Sequence, residues 1–237
     1  MEEEIISLDK RQIHNYFFIL LILEFIIYVV VSSIPFKDPT LLSSFKSEQS
    51  SITSQSIPVM FLDIFLNNFR VASIEVIPII GPFFYIASGF ATALIISLEG
   101  GSYNISGLFV FISLMFFPHS WLELPAYAVA VSISLYLTYA LIKIKDGKEK
   151  LKNRLLKSLL LYGFVAVELE VAAIFESVEI YFETTQSSPD NLLYPLLMWI
   201  PAIPALIFLV MLFHKINGPI KFRKNRAKSE DKEVFNN

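Results

Sequence analysis

Several runs of this chain are close to twenty residues long and almost wholly apolar, and that length constrains the fold more than anything else. The first is YFFILLILEFIIYVVVSSI, Tyr16 to Ile34. About twenty apolar residues in a helix cover the hydrocarbon of a bilayer. No water is present there to satisfy a free backbone, so only helices or closed barrels can cross. The runs here are continuous, whereas barrel strands alternate apolar and polar residues. The expected fold class is therefore all-α, a polytopic membrane helix bundle of about six transmembrane spans with Pro-broken helices. Composition agrees: charged residues are 17% of the 237, against about 25% in soluble domains. With no cysteine, disulfides, thiolate metal sites and cysteine nucleophiles are excluded together.

Read in order, residues 1–14 form a short polar N-terminus and 15–34 the first span. A cleaved signal peptide is the competing reading. It would have a shorter apolar core followed by a small-x-small site. Residues 35–57, rich in Ser and Thr, read as a flexible outer loop. Pro58 to Arg70 reads as an interfacial helix. A second span is expected from about Val71 to Leu98, broken by Pro78, Gly81 and Pro82. A short third span runs from about Ile105 to Phe117, and a fourth follows PHSWLELPAYA and ends near Ile142. The fifth covers about Ser158 to Tyr181. The last transmembrane span, 192–214, carries Pro195, Pro201 and Pro204, and 215–237 is a basic tail. No repeat of fixed period appears.

Lys and Arg gather on the cytoplasmic side of membrane proteins. Two lie at the amino end, seven between Lys143 and Lys157, and seven in the tail. Six spans with both termini cytoplasmic in the cell membrane satisfy all three groups, and five spans do not. This arrangement places the sequon Asn104-Ile105-Ser106 inside. Basic residues beside a membrane also suit anionic lipid, so no nucleic-acid partner is expected. The expected partners are membrane lipids and other membrane proteins, with a homo-oligomer as a further option.

The acids within the apolar runs are the anomaly. Glu24, Glu75, Glu123, Glu168, Glu170, Glu176 and Glu179 fall in expected spans with no Lys or Arg well inside one. A charge at the bilayer centre costs roughly 2.5–3.5 kcal/mol on insertion scales. Glu75 and Glu179 read mainly as span-end residues that reach water. Glu123 and Glu176 do not. In PHSWLELPAYA, Pro118 suits the first position of a helix. His119 and Glu123 are four apart on one face, and Pro125 frees the Trp121 carbonyl. His119, Glu123 and Glu176 are thus the candidate polar intramembrane site. Its readings, in order of weight, are a structural cap, a binding or proton-handling site at a broken helix, and a metal site. On the fifth span Glu168, Glu176 and Glu179 share a face, and Glu170 points away. No Gly-rich phosphate loop, HExxH or G-x-S-x-G occurs. The expectation is a non-enzyme without cofactor or metal.

Three segments in order carry a resemblance. FLNNFRVA leads into a span interrupted at Gly81-Pro82. PHSWLELPAYAVA is similar to the PHGxxELPA-type core of the stage II sporulation protein M family. AAIFESVEI, Ala172 to Ile180, resembles that family's small-small-x-x-Glu span. The likeness covers about Leu62 to Tyr181, with Ser120 where the family usually has Gly. It implies a helical membrane domain over 58–181. The family's namesake acts as a membrane scaffold that recruits peptidoglycan-degrading partners during engulfment in spore-forming bacteria, and the family extends beyond them. Asn68, Pro118, His119, Glu123, Pro125 and Glu176 match the motif, and the resemblance assigns them no chemistry. The leading expectation is a scaffold or assembly subunit. The alternative is a small transporter or permease-like subunit that handles a proton or cation through buried glutamates.

Overall fold

The computed structural model describes residues 2–142 and 148–218, with side chains for 12–142 and 151–218. The described residues form α1 (Glu2–Ser33), α2 (Pro39–Thr53), α3 (Ile57–Glu75), α4 (Ile80–Ser102), α5 (Gly107–Leu114), α6 (Ser120–Ile142), α7 (Lys148–Thr185), α8 (Asp190–Leu197) and α9 (Trp199–Asn217). Six segments are long and apolar enough to cross a membrane: Gln12–Ser33, Ile57–Glu75, Ile80–Ser102, Ser120–Ile142, Leu151–Thr185 and Asp190–Asn217. The all-α polytopic bundle is as expected, and so is the number of spans. Two of the spans are different ones.

The centre is α6. Its stretch AYAVAVSIS alternates small with branched residues, and Ala126, Ala128, Ala130, Ser132 and Ser134 are fully buried. Small side chains let backbones approach closely, the main route to tight packing in lipid. α6 packs on α7 and α1, α1 on α4, and α3 on α7. Ala126, Val129 and Ile133 of α6 meet Leu161, Val165 and Leu169 of α7 and Leu209 and Phe213 of α9 in the main core.

The expected interfacial helix and the start of the expected second span form one continuous helix, α3. It stops at Glu75, and α4 is a separate span. Between them Ile80 N–H donates to the Pro78 carbonyl over 2.8 Å. The residue inside that tight turn, Ile79, has φ 71° and ψ −48°, a strained region for a β-branched residue. α6 stabilises the turn from the side. Thr138 Oγ1 accepts from Ile79 N–H at 2.9 Å, and Ser134 Oγ donates to the Ile77 carbonyl at 2.6 Å. Pro78 and Pro82 therefore flank a full reversal rather than kink one helix.

The expected third span is also corrected. α5 has eight residues, about 12 Å of helix, far short of the roughly 30 Å of hydrocarbon. It folds back along α4 and ends beside the start of α6. Its last carbonyls need partners, because lipid supplies none. Ser120 Oγ donates to Leu114 O at 2.9 Å, Trp121 Nε1 to Met115 O at 2.8 Å, and Trp199 Nε1 to Phe116 O at 2.7 Å. The bend before it is equally tight. A Cβ on Gly107 would come within 2.4 Å of Ser97 Cα and 2.7 Å of the Ser32 carbonyl.

Residues 35–57, expected as a flexible loop, contain α2. Asp38 caps it, accepting from the Thr40 and Leu41 amides, and Pro39 opens it. None of its residues is buried, so it lacks the apolar periodicity that would have announced a helix. The sequon turn lies at the same end of the bundle as this segment, opposite to the expectation. Phe36 N–H donates to Ser97 Oγ at 3.2 Å, and Lys46 Nζ is 5.7 Å from the Tyr103 ring centroid. Because α2 buries so little, deleting Ser43–Ser51 is expected to leave expression unchanged and the detergent melting temperature within about 2 °C of wild type. A larger fall in a thermal-shift assay would show that α2 supports the bundle.

The basic segment lies partly outside the described residues, since Lys143, Lys145 and all of 219–237 do. Within them Lys157 belongs to α7 and is buried, its Nζ donating to the Asn217 carbonyl at 3.1 Å. A cation on the last carbonyl of α9 satisfies an acceptor that the helix itself cannot.

Candidate intramembrane polar site

Pro118 and His119 lead into α6 as a turn, with the His119 carbonyl accepting from the amides of Leu122 and Glu123. His119 thus precedes the helix instead of riding on its face. The expected His119–Glu123 contact is replaced by two longer-range ones. His119 Nδ1 pairs with Glu179 Oε2 on α7, at side-chain exposures of 12% and 2%. Its Nε2 lies 3.2 Å from Ser120 Oγ. Glu123 instead accepts from Asn68 Nδ2 on α3. Glu176 lies on α7, the helix that packs on α6. The facing-helix position expected for Glu176 is found, and Asn68 gains a role.

Two other expectations are overturned. Glu75 and Glu179 do not reach water: they are 1% and 2% exposed. A helix end does not guarantee hydration, and here α4 folds over Glu75. Ser88 Oγ donates to Glu75 Oε1 at 3.1 Å. Glu24, 3% exposed, lies with its Oε2 2.9 Å from the Tyr85 hydroxyl, which is also 2.9 Å from the Leu20 carbonyl. Glu168 is buried and Glu170 exposed, as their helical phase requires. Pro125 lies within α6.

The polar contacts form a set of cross-ties: α4 to α1 through Tyr85 and Glu24, α4 to α3 through Ser88 and Glu75, α3 to α6 through Asn68 and Glu123, and α7 to the start of α6 through Glu179 and His119. Each ties two helices that also pack through apolar side chains. Not every oxygen is used. Glu75 Oε2, Glu168 Oε2, Glu176 Oε2 and Glu179 Oε1 are buried without a hydrogen-bond partner. Among the described residues no three His or acidic side chains converge closely enough to hold a metal ion. Asn68, Tyr85 and Ser88 carried no acid–base signal in the sequence. Asn68 stood out only as a residue of the family motif, and only an acidic residue that demanded a donor could have pointed to Tyr85 and Ser88.

Comparison with known proteins agrees with the motifs. The family model described as Stage II sporulation protein M matches residues 16–178, more than half of the chain. No curated protein and no solved structure matches.

Proposed function

Because the chain belongs to the stage II sporulation protein M family, we propose that it serves as a non-enzymatic scaffold or assembly subunit of the cell membrane. The observation that carries this reading is the set of cross-ties. The buried acids link helices to one another through Tyr85, Ser88, Asn68 and His119. Their chemistry is thereby largely spent on holding a frame. Such a frame presents apolar faces outward: α3 buries only Met60, Ile64, Ala72 and Glu75, and α8 and α9 bury only Pro195, Ala202, Leu209, Phe213 and Asn217, which leaves most of both for lipid or for a partner helix. A second reading, a small transporter or permease-like subunit for a proton or cation, is favoured by the unpaired oxygens of Glu75, Glu176 and Glu179. Purification in gentle detergent, with mass spectrometry of proteins and bound ions, separates the two. A stoichiometric membrane partner retained by Glu123→Gln supports the scaffold. An ion lost in that variant, with no partner, supports transport.

In the proposed orientation both termini and the Lys143–Lys157 segment are cytoplasmic, and 35–57 lies outside with the 103–106 turn. The asymmetry of Lys and Arg supports it. Single cysteines introduced at Ser51, Lys148 and Lys228 test it with an impermeant thiol reagent on intact cells. Only Ser51→Cys is expected to label, and labelling of Lys148→Cys overturns the orientation.

A further inference from the structure

We propose that two copies of this chain meet along the outer face of α7, with their Glu170 side chains hydrogen-bonded to each other near the middle of the bilayer. This pairing stands whichever of the scaffold and transport readings holds. Three sides of α7 are occupied within one copy. Leu161, Val165 and Leu169 pack on α6, Tyr162 stacks on Phe69 of α3, and Phe164 meets Phe213 of α9. Glu170 stands on the fourth side and is exposed. Among the described residues its carboxyl has no hydrogen-bond or ion-pair partner.

Its depth makes that exposure costly. Phe213 of α9 meets both Phe164 of α7 and Phe17 of α1, and these two helices, the fifth and first spans, run in the same direction. Glu170 and Leu23, each six residues further along, therefore lie at about one level. Leu23 is the middle of the Gln12–Ser33 span. That level is about 15 Å from either surface of the hydrocarbon, beyond the reach of a glutamate side chain. The other exposed acidic and basic side chains of the six spans stand within six residues of a span end, as Asp63, Arg70 and Glu183 do. Lipid offers a carboxyl at mid-depth no hydrogen bond. Residues 143–147 and 219–237 are too dense in charge to descend there and supply one.

A second copy satisfies Glu170 with nothing further. A carboxyl in its acid form carries one donor and an acceptor oxygen, so two of them complete each other's hydrogen bonds. A twofold axis along the membrane normal brings the same residue of both copies together at the same depth. The surrounding face suits that contact. Leu159, Gly163, Val167 and Ile174 are exposed and lie on the Glu170 side of α7, at successive spacings of three and four residues. Gly163 leaves a recess there, since a Cβ on it would meet no atom within 4 Å. A missing side chain at the contact lets two helix backbones approach closely. A foreign helix would have to bring a donor of its own to this level, whereas the copy brings one by symmetry.

Two measurements on the full chain test the interface. The chain has no cysteine, so Ile174→Cys carries a single thiol. Mild oxidation in native membranes should give it a disulfide-linked species of twice the chain mass. Ile22→Cys, on the exposed face of α1, should give none. Single-molecule photobleaching of the labelled chain, diluted in liposomes, then reads the dimer dissociation constant. Glu170→Leu should raise it about tenfold, through loss of two interhelical hydrogen bonds. Glu170→Gln, whose amide also donates and accepts, should stay within about threefold of wild type. Because Glu170 has no partner within its own copy, neither variant disturbs the monomer, and the thiol test leaves Glu170 in place. A chain that is monomeric at every density, equal crosslinking at the two positions, no crosslink at Ile174→Cys, or a Glu170→Leu dimer as tight as wild type overturns the proposal. A crosslinked product with the mass of this chain plus a different protein overturns the second copy as the occupant.

Discussion

Gly81→Ala is expected to abolish folded protein. A Cβ at residue 81 would lie 1.9 Å from the Glu75 carbonyl oxygen and 2.7 Å from Ser134 Oγ. The serine could rotate, but the carbonyl is backbone at the last residue of α3 and cannot retreat without moving that helix. Gly81 N–H also donates to the Ile77 carbonyl at 2.8 Å, so the contact lies inside the reversal that joins α3 to α4. Overlap of this depth exceeds the roughly 1–3 kcal/mol typical of overpacked cores and falls among substitutions that cost more than about 4 kcal/mol. Fluorescence-detected size exclusion of the variant should show aggregate or no protein. A monodisperse peak at wild-type yield would mean that the α3–α4 reversal has another geometry. Pro82→Ala, which relaxes the chain without adding bulk at the contact, is the matched control and should remain folded.

His119→Ala is expected to destabilise by about 3–5 kcal/mol, the cost of leaving one member of a buried pair without the other. Glu179 is 2% exposed and its second oxygen is already unpaired, so the substitution strands the whole carboxylate. In a chain of this size that corresponds to a fall of about 10 °C in melting temperature. The double variant His119→Leu with Glu179→Leu should recover most of the loss, because an apolar pair needs no partner in a dry interior. Equal stability of the single and double variants, measured by thermal shift in one detergent, would show that the two side chains do not depend on each other.

The long apolar helices were legible because lipid imposes one rule on all of them: Tyr16 to Ile34, the run ending near Ile142 and the core of α7 appear where hydropathy places them. Reversals were less so. Pro78, Gly81 and Pro82 read equally well as kinks. The residue that makes the turn is Ile79, whose φ of 71° no local preference of isoleucine announces. α2 was missed for the opposite reason. Its Asp38-Pro39 start is a good helix signal, but no buried stripe follows. In the polar site the spacing argument put His119 and Glu123 on one face, which holds only if both are helical. The helix begins at Ser120, so His119 turns to Glu179 instead. Identities of the site residues on α6 and α7 were readable from chemistry. Partners such as Asn68 and Ser88, distant in sequence and uncharged, needed the packing.

The hydrogen bond from Trp199 to the Phe116 carbonyl crosses the boundary of the family match, which ends at residue 178. It also sets a sequence of events during synthesis. When α5 and α6 enter the bilayer, Ser120 and Trp121 are already present to close two of the three carbonyls at the end of α5, but the third waits for a residue about eighty positions later. Until the ribosome delivers that indole, the nascent bundle carries an exposed acceptor in a lipid environment, a feature by which an unfinished chain differs from a finished one. A chain that stops before residue 199 therefore leaves the Phe116 carbonyl without this donor.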